Sequence, residues 1–158
     1  RILAGIIKGI SGNIYRPRYK DLLNFVEAIN NKNFKARTLG GVLARALDEK
    51  KIVLRREPCY PVVISELPSN EFIWDGRWKI STSRELKKFE HIGPLGNKGY
   101  IQIKNHIVKI KSMEGVLSTP TLFRKDIVIS APMLKFGTEL SCKLKHNKKQ
   151  FINCFILH

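Results

Sequence analysis

The chain has 158 residues, 43% hydrophobic and 27% charged, with 29 Lys+Arg against 13 Asp+Glu for a formal net charge of +16. That size and balance exclude a disordered chain and allow one domain, or one with a small satellite, that buries its core without disulfide staples. The positive excess favours a polyanionic partner, nucleic acid or an acidic membrane surface, although a chain rich in Lys, Asn and Ile also reflects an AT-rich genome. Three cysteines make a poor disulfide framework and suit a reducing, cytoplasmic compartment. No apolar run approaches the ~18 residues of a membrane span. Because the first residue is Arg1 and not Met, the chain is expected to begin inside a longer protein.

Ile2, Leu3, Ile6, Ile7 and Ile10 recur at helical spacing and predict a helix ending near Ser11-Gly12-Asn13. After Tyr15-Arg16-Pro17-Arg18, a second helix is expected to carry Leu22, Leu23, Val26 and Ile29 on one face, with Asp21 in its first turn. Thr38-Leu39-Gly40-Gly41 opens a strand to about Leu47, Asp48-Glu49-Lys50-Lys51 turns it, and Ile52 to Arg56 returns. Pro58, Pro61 and Pro68 mark a linker-like stretch and set a subdomain boundary, 1–66 and 67–158.

Phe72-Ile73-Trp74-Asp75-Gly76-Arg77-Trp78-Lys79-Ile80 predicts a two-residue type I′ hairpin, since Asp-Gly accepts φ > 0 at both central positions. That register pairs Trp74 with Arg77, Ile73 with Trp78 and Phe72 with Lys79. One face then presents Phe72, Trp74, Arg77 and Lys79, and the other buries Ile73, Trp78 and Ile80. Aromatics beside cations suit unpaired bases, but Trp74 is better explained as packing against a neighbouring element. Leu86, Phe89 and Ile92 are at short-helix spacing, Gly93-Pro94-Leu95-Gly96 reads as a turn, and 98–111 mixes helix and strand periods. Two hairpins close the chain, one turning at Arg124-Lys125-Asp126 and one at His146-Asn147-Lys148-Lys149 before Phe151 to Leu157 returns.

The sequence lacks a GxxxxGK[ST] phosphate loop, a GxSxG elbow and an HExxH zinc motif, which counts against a complete enzyme. Cys142 and His146 are four apart, as are Cys154 and His158, and a hairpin would bring Cys142 opposite Cys154. Zinc could take four such ligands, but neither pair has CxxC spacing and a strand cysteine behaves as a small hydrophobe. No metal site is assigned.

Tyr15-Arg16-Pro17-Arg18, Arg37-Thr38-Leu39-Gly40-Gly41 with Arg55-Arg56-Glu57, Phe72-Ile73-Trp74-Asp75-Gly76-Arg77-Trp78, Gly93-Pro94-Leu95-Gly96, and Thr119-Pro120-Thr121-Leu122-Phe123 leading to Ala131-Pro132 follow one another across most of the chain. In order and spacing they resemble the C-terminal half of tRNA(Ile)-lysidine synthetases of the α-proteobacterial type. Thr-Pro-Thr-Leu-Phe departs from the family's pattern, which is closer to Leu-Pro-Ala-Leu-Trp.

The resemblance implies a parent ligase that adenylates the wobble cytidine of an isoleucine tRNA with ATP and then joins free lysine to it. Its chemistry would belong to an N-terminal ATP-pyrophosphatase domain with a Ser-Gly-Gly-x-Asp-Ser loop, absent here. ATP with Mg, and lysine, would bind there, leaving this chain no cofactor and no catalytic residue. The implied partner is the isoleucine tRNA with a CAU anticodon, with no membrane and with room for a homodimer through the parent. Phosphate contacts are expected first from Arg16, Arg18, Arg55, Arg56, Arg77, Arg124 and Lys125, since guanidinium forks suit phosphate oxygens. The alternatives are a general RNA- or DNA-binding module and a basic structural or interaction domain. The expected fold is α+β: an N-terminal helical pair, then β-hairpins forming a mostly antiparallel sheet or small barrel.

Overall fold

Apolar residues three and four apart open the chain, and in the computed structural model they form α1 (Ile2–Ser11). The helix ends where Gly12 takes the left-handed conformation at φ 72° and donates its N–H to the Lys8 carbonyl. The structure describes residues 1–48, 50–57, 62–107 and 113–145. They divide into two units, Arg1–Glu57 and Pro58–Lys145, and the class is α+β, helices first and strands after. No described helix is long and apolar enough to cross a membrane.

In the first unit, α2 (Tyr19–Ile29) buries Phe25, flanked by Leu22 and Ile29, while Leu23 is exposed. The buried stripe is therefore rotated from the expected one, because Phe25, the only wholly hydrocarbon aromatic of the helix, takes the centre. β1 (Ala36–Leu39), β2 (Val42–Asp48) and β3 (Lys51–Arg56) form an antiparallel meander. Gly40 and Gly41, at φ 57° and 81°, are a two-residue turn closing Leu39 against Val42, and not the start of one strand. Positive φ at both central residues is what such a turn demands. Ile7, Phe25, Val42 and Ala44 make the core.

The second unit holds two further three-stranded antiparallel sheets, so the expected antiparallel hairpins are distributed, among the described residues, over three small sheets. β4 (Glu71–Trp74) and β5 (Trp78–Thr82) form a hairpin, with β9 (Leu140–Leu144) on the far side of β5. The tight turn forms as expected: Asp75 and Gly76 have φ 50° and 65°, and the Arg77 N–H reaches the Trp74 carbonyl at 3.1 Å. Arg77 is then left over as a bulge, and the ladder resumes as Trp74↔Trp78, Ile73↔Lys79 and Phe72↔Ile80. That one-residue slip exchanges the faces. Phe72, Trp74, Trp78 and Ile80 turn inward, and Ile73 and Lys79 outward. Burying both indoles outweighs the simpler register, since aromatic side chains remove the most apolar surface from water. The Trp74 Nε1–H also reaches the Val62 carbonyl at 3.0 Å.

β6 (Glu90–Pro94), β7 (Pro120–Arg124) and β8 (Ile127–Ser130) form the other sheet. Gly93 and Pro94, expected in a turn, pair with Thr121 and Pro120 in the ladder. Ile64 exchanges two 2.8 Å backbone hydrogen bonds with Ile92, and Val62 and Ile64 pack on the core shared by Trp74, Trp78, Ile80, Ile92, Leu122 and Leu140. Leu86 meets that core from a non-helical segment, so the short helix expected over 86–92 does not form. Of the open stretch 98–111, the part to Ile103 is helix, in α3 (Gly96–Ile103), which buries Ile103 and exposes Ile101, and 108–111 lie outside the described residues. One turn of helix, α4 (Met113–Val116), and a 3₁₀ turn at Pro132–Leu134 complete the unit. The hairpin expected to turn at 146–149 lies outside the described residues beyond Lys145.

Candidate nucleic-acid interface

In the first unit the link between α1 and α2 is the exposed string Ile14-Tyr15-Arg16-Pro17-Arg18. Asn13 fixes its start: the side-chain amide donates to the Gly40 carbonyl at 2.9 Å, and its backbone N–H to Ser11 Oγ at 3.2 Å. Pro17 restricts the backbone of Arg16 to extended conformations, and Arg18 caps α2 in an extended geometry. The result is an open groove of about 560 Å³ whose lining includes Ile7, Ser11, Tyr15, Arg16, Arg18 and Asp21. Tyr15 is 83% exposed. Two guanidinium groups beside an exposed phenol offer donors for phosphate and a π-face for a base. Ser11-Gly12-Asn13 sits at the C-terminal end of a helix, where the dipole disfavours anions, so it does not act as a phosphate loop.

Arg55 and Arg56, adjacent on β3, point to opposite faces of the sheet. Arg56 Nη1 donates to the Gly41 carbonyl at 3.0 Å, bracing the glycine turn. Arg55 stands across from Leu43, where burial and the nearby Arg45 charge lower its guanidinium below the ordinary value.

The second unit is organised around a buried carboxylate. The Glu90 side chain is 0% exposed and accepts from Arg84 (2.7 and 3.1 Å), from Arg124 (2.9 and 3.3 Å) and from the Lys87 N–H at 2.8 Å. Hydrogen bonding from Arg84 dominates, with the Lys87 N–H and Arg124 adding to it against the cost of burial, and holds the Glu90 carboxyl down at about 2. Arg124 remains half exposed. Lys125 occupies the β7–β8 turn at φ 54° and donates its N–H to the Phe89 carbonyl at 2.8 Å. Phe89 projects into solvent with the Lys88 and Lys125 ammonium groups 5.1 and 5.4 Å from its ring centre.

Arg77 is differently placed. Its guanidinium, 11% exposed, holds the Asp75 carboxylate, 7% exposed, at 2.5 Å and donates to the Ser118 carbonyl at 3.0 Å. The bulge thus turns Arg77 into a clamp between the hairpin tip and the segment before β7. Within the first unit the fold gathers Arg16 and Arg18, and within the second it gathers Arg124 and Lys125. Sequence reasoning missed Arg84, Lys88 and Phe89, because Arg84-Glu85-Leu86-Lys87-Lys88-Phe89-Glu90 reads as an amphipathic helix. An aromatic directly after two lysines was the available signal.

Cys142 lies opposite Ile80 in the ladder, and burial pushes its thiol up to about 11. That keeps it protonated and neither nucleophile nor ready metal ligand. Among the described residues no three His, Cys, Asp or Glu side chains are grouped to hold a metal. His146, Cys154 and His158 lie outside them. No protein-family model, curated protein or solved structure matches the chain.

Proposed function

We propose that this chain is the tRNA-gripping part of a tRNA(Ile)-lysidine synthetase. It holds the isoleucine tRNA with a CAU anticodon, in the cytoplasm, while a separate domain uses ATP, magnesium and lysine to modify the wobble cytidine. The observation that carries the reading is the Tyr15-Arg16-Pro17-Arg18 loop. It is one of the motifs in the family-like series, and its two arginines stand exposed along an open groove. The net charge of +16 supports the same partner, since displaced counterions drive binding to a phosphate backbone. Arg16, Arg18, Lys125 and the exposed side of Arg124 supply the phosphate contacts, whereas Arg77 holds its own hairpin tip to the segment before β7.

Fluorescence anisotropy of the chain with the CAU-bearing isoleucine tRNA, against the CAU-bearing methionine elongator, tests this across a salt series. Tighter and salt-dependent binding to the isoleucine tRNA is expected. Equal, salt-sensitive binding to both would make the chain a general electrostatic clamp. Absence of binding at low salt would overturn the reading.

A further inference from the structure

Folding alone gives Phe89 no reason to stand where it does. It is the third residue of a turn closed by the Glu90 N–H on the Lys87 carbonyl at 2.9 Å, and its φ is 66°. Turns with positive φ at that position favour Gly or Asn, and a bulky aromatic there is disfavoured. The ring is 61% exposed, so burial does not offset the strain.

The surroundings nevertheless hold it from three directions. The Glu90 carboxylate accepts from Lys87 N–H, Arg84 and Arg124 bind that carboxylate, and Lys125 N–H ties down the Phe89 carbonyl. Lys125 is itself at φ 54°, so two strained residues from two turns are joined at the end of the β6–β7 ladder. Strain kept at an exposed point by an over-determined frame is a mark of function.

We infer that Phe89 is a stacking platform for an unpaired nucleobase of the bound RNA, with Lys88 and Lys125 receiving the phosphates flanking it. This deepens the RNA-binding reading above and rests on it. The two ammonium groups lie 5.1 and 5.4 Å from the ring centre, each at the end of a flexible stem. When a base takes the ring face, a lysine swings from the π-cloud to the adjacent phosphate, exchanging a cation–π contact for an ion pair. Glu90 does not oppose the approach, because Arg84 and Arg124 already neutralise it. A paired base has no exposed face to offer, so the platform selects single-stranded loops over duplex.

The test is anisotropy with an unstructured RNA of about twelve nucleotides, free and in duplex, for wild type, Phe89→Ala, Phe89→Asn and Phe89→Trp. Phe89→Ala and Phe89→Asn are expected to weaken single-strand binding about tenfold without changing the salt slope, because stacking releases no counterions. Phe89→Trp should bind at least as tightly, and duplex affinity should not move. Asn accepts the left-handed backbone, so Phe89→Asn should melt no lower than wild type, separating lost stacking from lost folding. Ala and Asn variants that bind single strands within about twofold of wild type would overturn the platform and leave the proposed function standing. Wild type that binds no RNA, or binds only anionic vesicles, would overturn both.

Discussion

Glu90 and Arg77 are separate cases of one rule, that a buried charge is tolerated when its partners surround it. Glu90→Gln leaves two guanidinium groups without their carboxylate and is expected to cost about 3 kcal/mol, read by urea denaturation. The acid limb follows from the same contacts. A carboxyl held at about 2 instead of its ordinary 4.5 contributes stability that is complete above the higher value and is lost as pH falls from there toward 2. Wild-type Tm should therefore drop across that window more steeply than Tm of the Gln variant, and parallel curves would remove Glu90 from acid unfolding. For the arginines, Arg77→Ala strips a partner from a nearly buried Asp75 and should destabilise by about 3 kcal/mol. Arg16→Ala should leave Tm alone and flatten the salt slope of RNA binding by about one. The reverse pattern would exchange their roles.

At the scale of elements, turn glycines and bulges decide more than strand propensity. Gly137 sits at φ 67°, and a Cβ there would strike the Ile129 carbonyl oxygen and the Ser130 backbone. Gly96 has a similar φ of 60° with nothing within 4 Å of an added Cβ. Gly96→Ala is expected to cost about 1 kcal/mol, the backbone term alone, and Gly137→Ala clearly more, above about 2 kcal/mol, because backbone atoms must move. Equal losses in thermal melts would mean the Gly137 neighbours can give way. The β4–β5 hairpin carries the same lesson from the sequence side. Asp75-Gly76 specified the turn, but nothing local specified that Arg77 would be left over, and that one residue decides which way Trp74 points.

Across the whole molecule the charge dominates. With 29 basic and 13 acidic residues, self-repulsion opposes folding and a polyanion relieves it. Salt should then act in opposite directions on two properties of one sample. Raising it screens repulsion at a Debye length falling below ~10 Å and should lift Tm by a few degrees, while RNA affinity falls. If Arg16, Arg18, Lys88, Arg124 and Lys125 each neutralise one phosphate of the bound RNA, the log–log salt slope should be about −4. A slope near zero would mean the charge plays no part in binding. A much steeper one would call for further contacts.

The sequence alone determined the α+β class, the helices α1 and α2, the β2–β3 and β7–β8 hairpins and the basic character. These follow from periodicity, turn chemistry and composition, which are local or additive. It also marked Arg16 and Arg18, because a loop beside a proline is exposed whatever it packs against. Only the tertiary structure decided that the described strands form three small sheets, that Trp74 and Trp78 share one core, that Arg77 is a clamp and that 84–89 is not a helix. It alone brought Arg124, distant in sequence, onto Glu90 and so fixed Phe89 in the open. Each of those outcomes turns on which distant groups satisfy a buried charge or share a core, and no local pattern encodes that choice.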